Sequence, residues 1–332
     1  MNEISIAVHD AMASLEAMKE REKRYQVHDY LSSYEGANTI EIGNFQTSSE
    51  LDKNEEKPVD LEYREILSNW CFRVIDHFTL PRHVAATAMN FVDRFCCKNH
   101  CNREVYRLVA TTSLYLALKL EEGEKVNWKD GYSQSHVTMT DIFPCLANDQ
   151  VPLRRIIRFE TLLLRSLAFH VHPPLPAYYI QEYLTLLSMI GIQEYCTKIM
   201  RRKLESKANY FAELASMDYS CVTISPSLIA LASILNALEQ QFPATPLKGW
   251  HVSSHSPNDM LLIAWKGNQF VRETLLRLLH DTAFISQDDI DQVLSIEDVL
   301  WTTYHHQPEP GINEELRCQN HSPVNVTAKT FK

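Results

Sequence analysis

Glycine is scarce in this chain. Eight residues in 332 are glycine, scattered singly at positions 36, 43, 123, 131, 191, 249, 267 and 311. Loops that cradle phosphates need clustered glycines for tight turns and close backbone approach. No P-loop or dinucleotide fingerprint is present, which disfavours the largest nucleotide-using enzyme classes. Also missing is any run of about eighteen apolar residues, the length of a membrane span. The opening MNEISIAVHDAMASLEAMKEREKR holds no unbroken apolar segment of the secretory kind. Positive charge is in deficit: the formal net charge is −10, and such a field repels nucleic acid. The short basic clusters Arg21–Arg24 and Met200–Lys203 read as solvated helix faces. The expectation is a soluble intracellular protein with reduced thiols, no membrane association and no nucleic-acid partner.

Alternating strand patterns are nearly absent, and helical periodicity fills the space they leave. Residues 5–31 read as one amphipathic helix, and residues 32–60 as a polar, acidic linker. From residue 61 the pattern sharpens. Leu67, Trp70, Val74 and Phe78 recur at helical spacing. Pro81 opens a helix carrying Val84, Ala88, Phe91 and Phe95. Asn102 is placed to cap a third helix, with Leu108, Thr112, Leu116 and Leu120 on one stripe. A later helix carries Leu153, Ile157, Leu164 and Leu167. The stretch HVHPPLP, residues 170–176, breaks the pattern and marks a domain boundary.

The second half repeats the style. Ser225-Pro226 places a cap before a proline at the first helical position. The segment it opens, SLIALASILNALE, parallels RLVATTSLYLALK from Arg107. Leu108/Leu228, Ala110/Ala230, Ser113/Ser233, Ala117/Ala237 and Leu118/Leu238 coincide at one offset. Small residues at helical intervals suit a helix at the centre of a bundle, so one such helix in each half suggests a duplicated domain. Ser286, with acids following it, caps a last helix. The expected organisation is 1–60 N-terminal helix and linker, 61–172 first domain, 173–305 second domain, and 306–332 disordered tail.

A search for chemistry comes up empty. No zincin helix, glycine-framed serine or paired acid and base stands out. CCKNHC, residues 96–101, packs three cysteines and a histidine together. A structural zinc site needs four ligands, usually as two separated pairs. Cys97, His100 and Cys101 supply three, and no second pair follows. The motif reads as small apolar fill at a helix end. Neither metal nor cofactor is expected. The informative anomalies are two charges on apolar stripes, Lys119 and Glu160. Either they pair with each other inside the domain, or they form a contact surface to which a partner brings complementary charge.

These residues resemble the cyclin box. YREILSNW (residues 63–70) resembles the family's Met-Arg-x-Ile-Leu-x-x-Trp opening, and NFVDRF (90–95) its Asn-Tyr-Leu-Asp-Arg-Phe segment. LALKLEE (116–122) resembles its Ala-x-Lys-x-Glu-Glu helix end. IIRFETLLLRSLAF (156–169) is similar to the helix whose glutamate faces the kinase. The resemblance implies an all-α protein of two tandem five-helix cyclin-fold domains, with an N-terminal helix before the first. It implies a regulatory subunit, not an enzyme, that binds and activates the catalytic subunit of a cyclin-dependent protein kinase in nucleus or cytoplasm. By the same resemblance Lys119 and Glu160 reach the kinase's mobile helix, with Leu116, Leu120, Leu164 and Phe169 packing beside them. Arg64 and Asp93 match an internal ion pair. A cyclin-fold transcription or scaffold protein without kinase activation is the alternative.

Departures from the family pattern fall on its substrate-docking patch. Ile66, Leu67 and Trp70 keep the apolar part, with Tyr63 in place of methionine. Arg73 and Arg107 stand where docking cyclins carry glutamate and glutamine, which argues against arginine-bearing Arg-x-Leu peptides. The N-terminal region shows neither an Arg-x-x-Leu degradation box nor a Lys-Glu-Asn box, which sets the chain apart from a standard mitotic cyclin and nearer the G1 type.

Overall fold

A computed structural model describes residues 3–32, 38–39, 57–77, 80–122, 151–189, 198–241 and 257–306. In chain order the elements are α1 (Glu3–Glu22), β1 (Asn38–Thr39), α2 (Leu61–His77), α3 (His83–Cys96), β2 (Asn99–His100) and α4 (Arg103–Glu122). After them come α5 (Leu153–Ser166), α6 (Pro176–Met189), α7 (Lys198–Met217), a short 3-10 turn (Tyr219–Cys221), α8 (Pro226–Gln241), α9 (Pro257–Asp281) and α10 (Gln287–His306). Among the described residues the fold is all-α apart from the two-residue pair β1–β2 and an isolated bridge between Pro58 and Asn102.

The described residues form two compact units. One contains Arg24–Pro173 and Ser216–Thr223; the other holds residues 3–23, 174–215 and 224–306. In the first, α3 packs on α4, α4 on α5, and α2 on both α3 and α4. The α3 stripe of Val84, Ala88, Phe91 and Phe95 is buried, and α4 is buried nearly all round from Glu104 to Leu118. A helix enclosed in this way is what the small-residue pattern requires. The Asn102 carboxamide oxygen accepts from Val105 N at 2.9 Å and caps α4. In the second unit α8 occupies the corresponding place, against α6, α9 and α10. Pro226 opens α8. The start of α10 is closed reciprocally: Ser286 N donates to Asp289 Oδ2 at 2.8 Å and Asp289 N donates to Ser286 Oγ at 3.1 Å.

Several expectations change. The helix read over residues 5–31 ends at Glu22, and Tyr25, Tyr30 and Leu31 instead lie on non-helical chain packed into the first unit. Tertiary burial of these side chains overrides a pattern that also fits a helix. Within the segment read as linker, Asn38 and Thr39 pair in parallel with Asn99 and His100. There the exposed backbone groups of CCKNHC supply a template for an added strand. On α5 and its C-cap the buried residues are Ile156, Phe159, Leu163 and Leu167. Of the expected stripe Leu153, Ile157, Leu164 and Leu167, only Leu167 is buried; Leu153 and Leu164 pack partly against the core, and Ile157 is exposed. Periodicity admits both faces of this helix, and the Phe159 ring, 5.5 Å from that of Phe95, selects the one that faces inward. Phe78 and the tail 307–332 lie outside the described residues; His306 closes α10.

Candidate functional site

The choice of inner face on α5 leaves a second apolar stripe along its flank. Ile157 is 49% exposed, Leu164 is half-buried, and Glu160 stands between them. The Lys119 ammonium on α4 donates to Glu160 Oε1 at 3.1 Å, the two side chains being 33% and 13% exposed. It also lies 5.9 Å from the Tyr115 ring centre. Leu120, next to Lys119, is 38% exposed, and Phe169, beyond the end of α5, is 66% exposed. Leu116, by contrast, is buried and belongs to the core. The structure thus joins Lys119 and Glu160 as a partly shielded ion pair. Around it are apolar side chains from both helices.

The other predicted residues divide. Arg64 and Asp93 form a buried, two-pronged ion pair, Arg64 Nε to Oδ1 at 3.0 Å and Nη2 to Oδ2 at 2.9 Å. The guanidinium also donates to the Met217 and Ser216 carbonyls, and the Tyr30 hydroxyl donates to Asp93 Oδ1 at 2.8 Å. On the α2 surface Ile66 is exposed and Trp70 half-buried, while Leu67 is buried in the core. Tyr63 is tied inward: its hydroxyl donates to the Arg103 carbonyl, and the Arg103 guanidinium lies over its ring. Arg73 and Arg107 are half-buried on α2 and α4.

The cysteines of CCKNHC point in different directions. Cys96 and Cys101 are buried, with Cys96 Sγ donating to Cys101 Sγ across 3.8 Å. Cys97 turns to the backbone of His28, accepting from its N–H and donating to its carbonyl, each at 3.3 Å. Burial pushes the Cys97 thiol up to about 11 and that of Cys96 well above the ordinary range. Such thiols stay protonated at neutral pH and are poor nucleophiles. No group of three or more His, Cys, Asp or Glu placed to hold a metal occurs among the described residues. Two further residues of the motif, Lys98 and Asn99, reach α5. Lys98 Nζ donates to the Ser166 carbonyl at 2.7 Å and Asn99 Nδ2 to Ser166 Oγ at 3.1 Å, so together they grip the C-terminal end of α5.

Each of the two all-α units is built round one enclosed helix, and the first bears this mixed charged and apolar face. Among the described residues no helix is long and apolar enough to cross a membrane. Residues 15–172 match the family model of the cyclin N-terminal domain and residues 175–263 that of the cyclin C-terminal domain; the chain belongs to the cyclin family. It is 27% identical over 175 residues to the G2/mitotic-specific cyclin C13-1 of Daucus carota, covering 53% of this chain and 46% of that one. With the G2/mitotic-specific cyclin-2 of Medicago sativa it shares 23% identity over 247 residues, covering 74% and 63%. A viral cyclin of herpesvirus saimiri aligns with TM-score 0.45 and 14% identity, over 66% of this chain and 88% of that one. The chain spans about half the length of relatives such as the carrot protein. The two plant relatives are mitotic by name, and the G1 likeness read from absent motifs rests on the sequence alone.

Proposed function

We propose that this chain is a regulatory subunit that binds and activates the catalytic subunit of a cyclin-dependent protein kinase. It would do so in the nucleus or cytoplasm, as part of cell-cycle control. One observation carries the reading. Ile157, Leu120 and Phe169 stay open to solvent around the Lys119–Glu160 pair, with Leu164 only partly covered where it packs against the core. An exposed apolar patch round a half-shielded ion pair suits a partner that covers the carbons and supplies hydrogen bonds to the charges.

The mechanism follows from the shape of the face. Ile157, Leu164, Leu120 and Phe169 give a mobile kinase helix an apolar seat, and Lys119 and Glu160 fix its register by bonding its main-chain and side-chain groups. Seating that helix completes the kinase's own Lys–Glu pair and orders its activation segment. The cyclin performs no chemistry. Its binding energy shifts a conformational equilibrium of the partner.

Once a partner excludes water, losing a hydrogen-bonded charge costs roughly 2–5 kcal/mol. Lys119→Ala with Glu160→Ala is therefore expected to abolish kinase co-purification and activation while the helical circular dichroism and melting temperature change little. An unfolded double variant means that the pair serves the fold. A folded variant that still activates fully sinks this interface. A wild-type chain that recovers no kinase but retains DNA or a transcription factor favours the scaffold alternative.

A further inference from the structure

Phe169 stands on a backbone that a phenylalanine does not adopt freely. Ala168 and Phe169 have φ of 51° and 60°, in the left-handed region that disfavours residues with a Cβ. The turn is closed by Phe169 N donating to Leu164 O at 2.9 Å, Ala168 N to Arg165 O at 3.0 Å and His170 N to Leu167 O at 3.0 Å. A similar turn ends α9, where Ala283 has φ 56° and Phe284 N donates to Leu279 O. There the phenylalanine is buried, and burial supplies a reason for the strain. At Phe169 the ring points into solvent, so its reward is absent from this unit.

What holds the strained turn is Arg94. This arginine is buried on α3. Its Nη1 donates to the His170 carbonyl at 2.8 Å and its Nη2 to the Leu167 carbonyl at 3.1 Å. These two carbonyls bracket Ala168 and Phe169. The Tyr25 ring lies 4.6 Å from the guanidinium carbon and meets the His170 ring edge-on at 6.0 Å. The non-helical segment after α1 thus backs the clamp with an aromatic face. Strain kept by surrounding contacts at an exposed side chain is a means of presetting it for a partner, since the ordering cost is met before binding.

We propose that Arg94, backed by Tyr25, is a positioning residue that presets Phe169 as an apolar anchor for the kinase. This rests on the kinase-binding reading of the face. The test measures affinity of the full chain for purified cyclin-dependent kinase catalytic subunits. Phe169→Ala is expected to weaken binding about tenfold or more, as loss of a central aromatic anchor does. Arg94→Ala is expected to lose most of the same factor. The double variant should bind no more weakly than Phe169→Ala alone, because both changes remove one interaction. Tyr25→Phe should bind as wild type and Tyr25→Leu several-fold more weakly.

If Phe169→Ala weakens binding while Arg94→Ala does not, or if the two losses multiply, the clamp is wrong and the kinase face stands. If Phe169→Ala leaves affinity untouched, the anchor and this inference fall together. Should Arg94→Ala not fold, the tyrosine pair decides, and equal affinity of Tyr25→Leu and Tyr25→Phe overturns the proposal. A wild-type chain that binds none of the kinases overturns both readings.

Discussion

Arg64 places a guanidinium beyond the reach of water, and its surroundings answer its need for acceptors. Asp93 takes the Nε–H and one Nη2–H, while the Ser216 carbonyl accepts from Nη2 and the Met217 carbonyl from Nη1. Burial alone disfavours the charged form, yet Asp93 outweighs it and holds the guanidinium firmly protonated. A buried pair adds little net stability over apolar replacements, but leaving one charge behind is expensive. Asp93→Asn is therefore expected to destabilise the first unit by about 3–5 kcal/mol in urea unfolding. Asp93→Asn with Arg64→Met should recover a large part of that loss. The pair was legible through resemblance only. Periodicity gives no hint that a charge at 64 and another at 93 meet, because nothing local relates them.

At the scale of the element, α5 shows how a readable helix can hide its orientation. IIRFETLLLRSL is apolar on more than one face, so its helical form is evident and its inner face is not. The Phe95–Phe159 contact makes the choice, and the half-covered flank beside it becomes part of the candidate site. The same scale governs α1. Its Ala11, Met12 and Leu15 are buried in the unit that includes α6, and Ser14 Oγ donates to Glu182. Its last residue, Glu22, is buried, with Oε1 accepting from Ser227 N at 2.6 Å and Oε2 from Ser227 Oγ at 3.1 Å. A carboxylate is thereby set at the N-terminal end of α8.

Burial raises the Glu22 carboxyl above its usual 4.5, and the Ser227 bonds offset this only in part. The folded chain therefore holds the Glu22 proton more tightly than the unfolded chain does. The contribution of this group to stability is fully present below pH 4.5 and declines as pH rises through the elevated folded value. Thermal melts at steps from pH 7 down to 4.5 should show wild type gaining stability relative to Glu22→Gln as pH falls. A constant difference across that range would mean that Glu22 does not titrate abnormally.

For the whole molecule, charge sets what can dock. The chain carries −10 overall, yet Ile66 and Trp70 lie on a helix that also bears Arg73, while Arg107 stands on neighbouring α4. An arginine in a peptide bound beside them would meet like charge as water is excluded, at a cost on the order of 1 kcal/mol or more. Arg-x-Leu peptides should accordingly bind weakly in fluorescence polarisation, and Arg73→Glu with Arg107→Gln should strengthen them. Tight binding by the wild-type chain would show that this surface reads peptides by another rule.

Helix identity was written locally, in apolar spacing, in the Asn102, Pro226 and Ser286 starts, and in the small residues of α4 and α8. Local rules suffice there because a helix's hydrogen bonds and caps join residues a few positions apart. Lys119 and Glu160 were legible as misplaced charges, and the box motifs identified their family. Other features depended on distant parts of the chain. The turning of Tyr25 and Tyr30 out of a helix, the inner face of α5, and the Arg94 grip on the Ala168–Phe169 turn each join groups dozens of residues apart. Their energies come from burial and from satisfying backbone carbonyls. Only the assembled fold determines which groups lose water and which carbonyls lack donors.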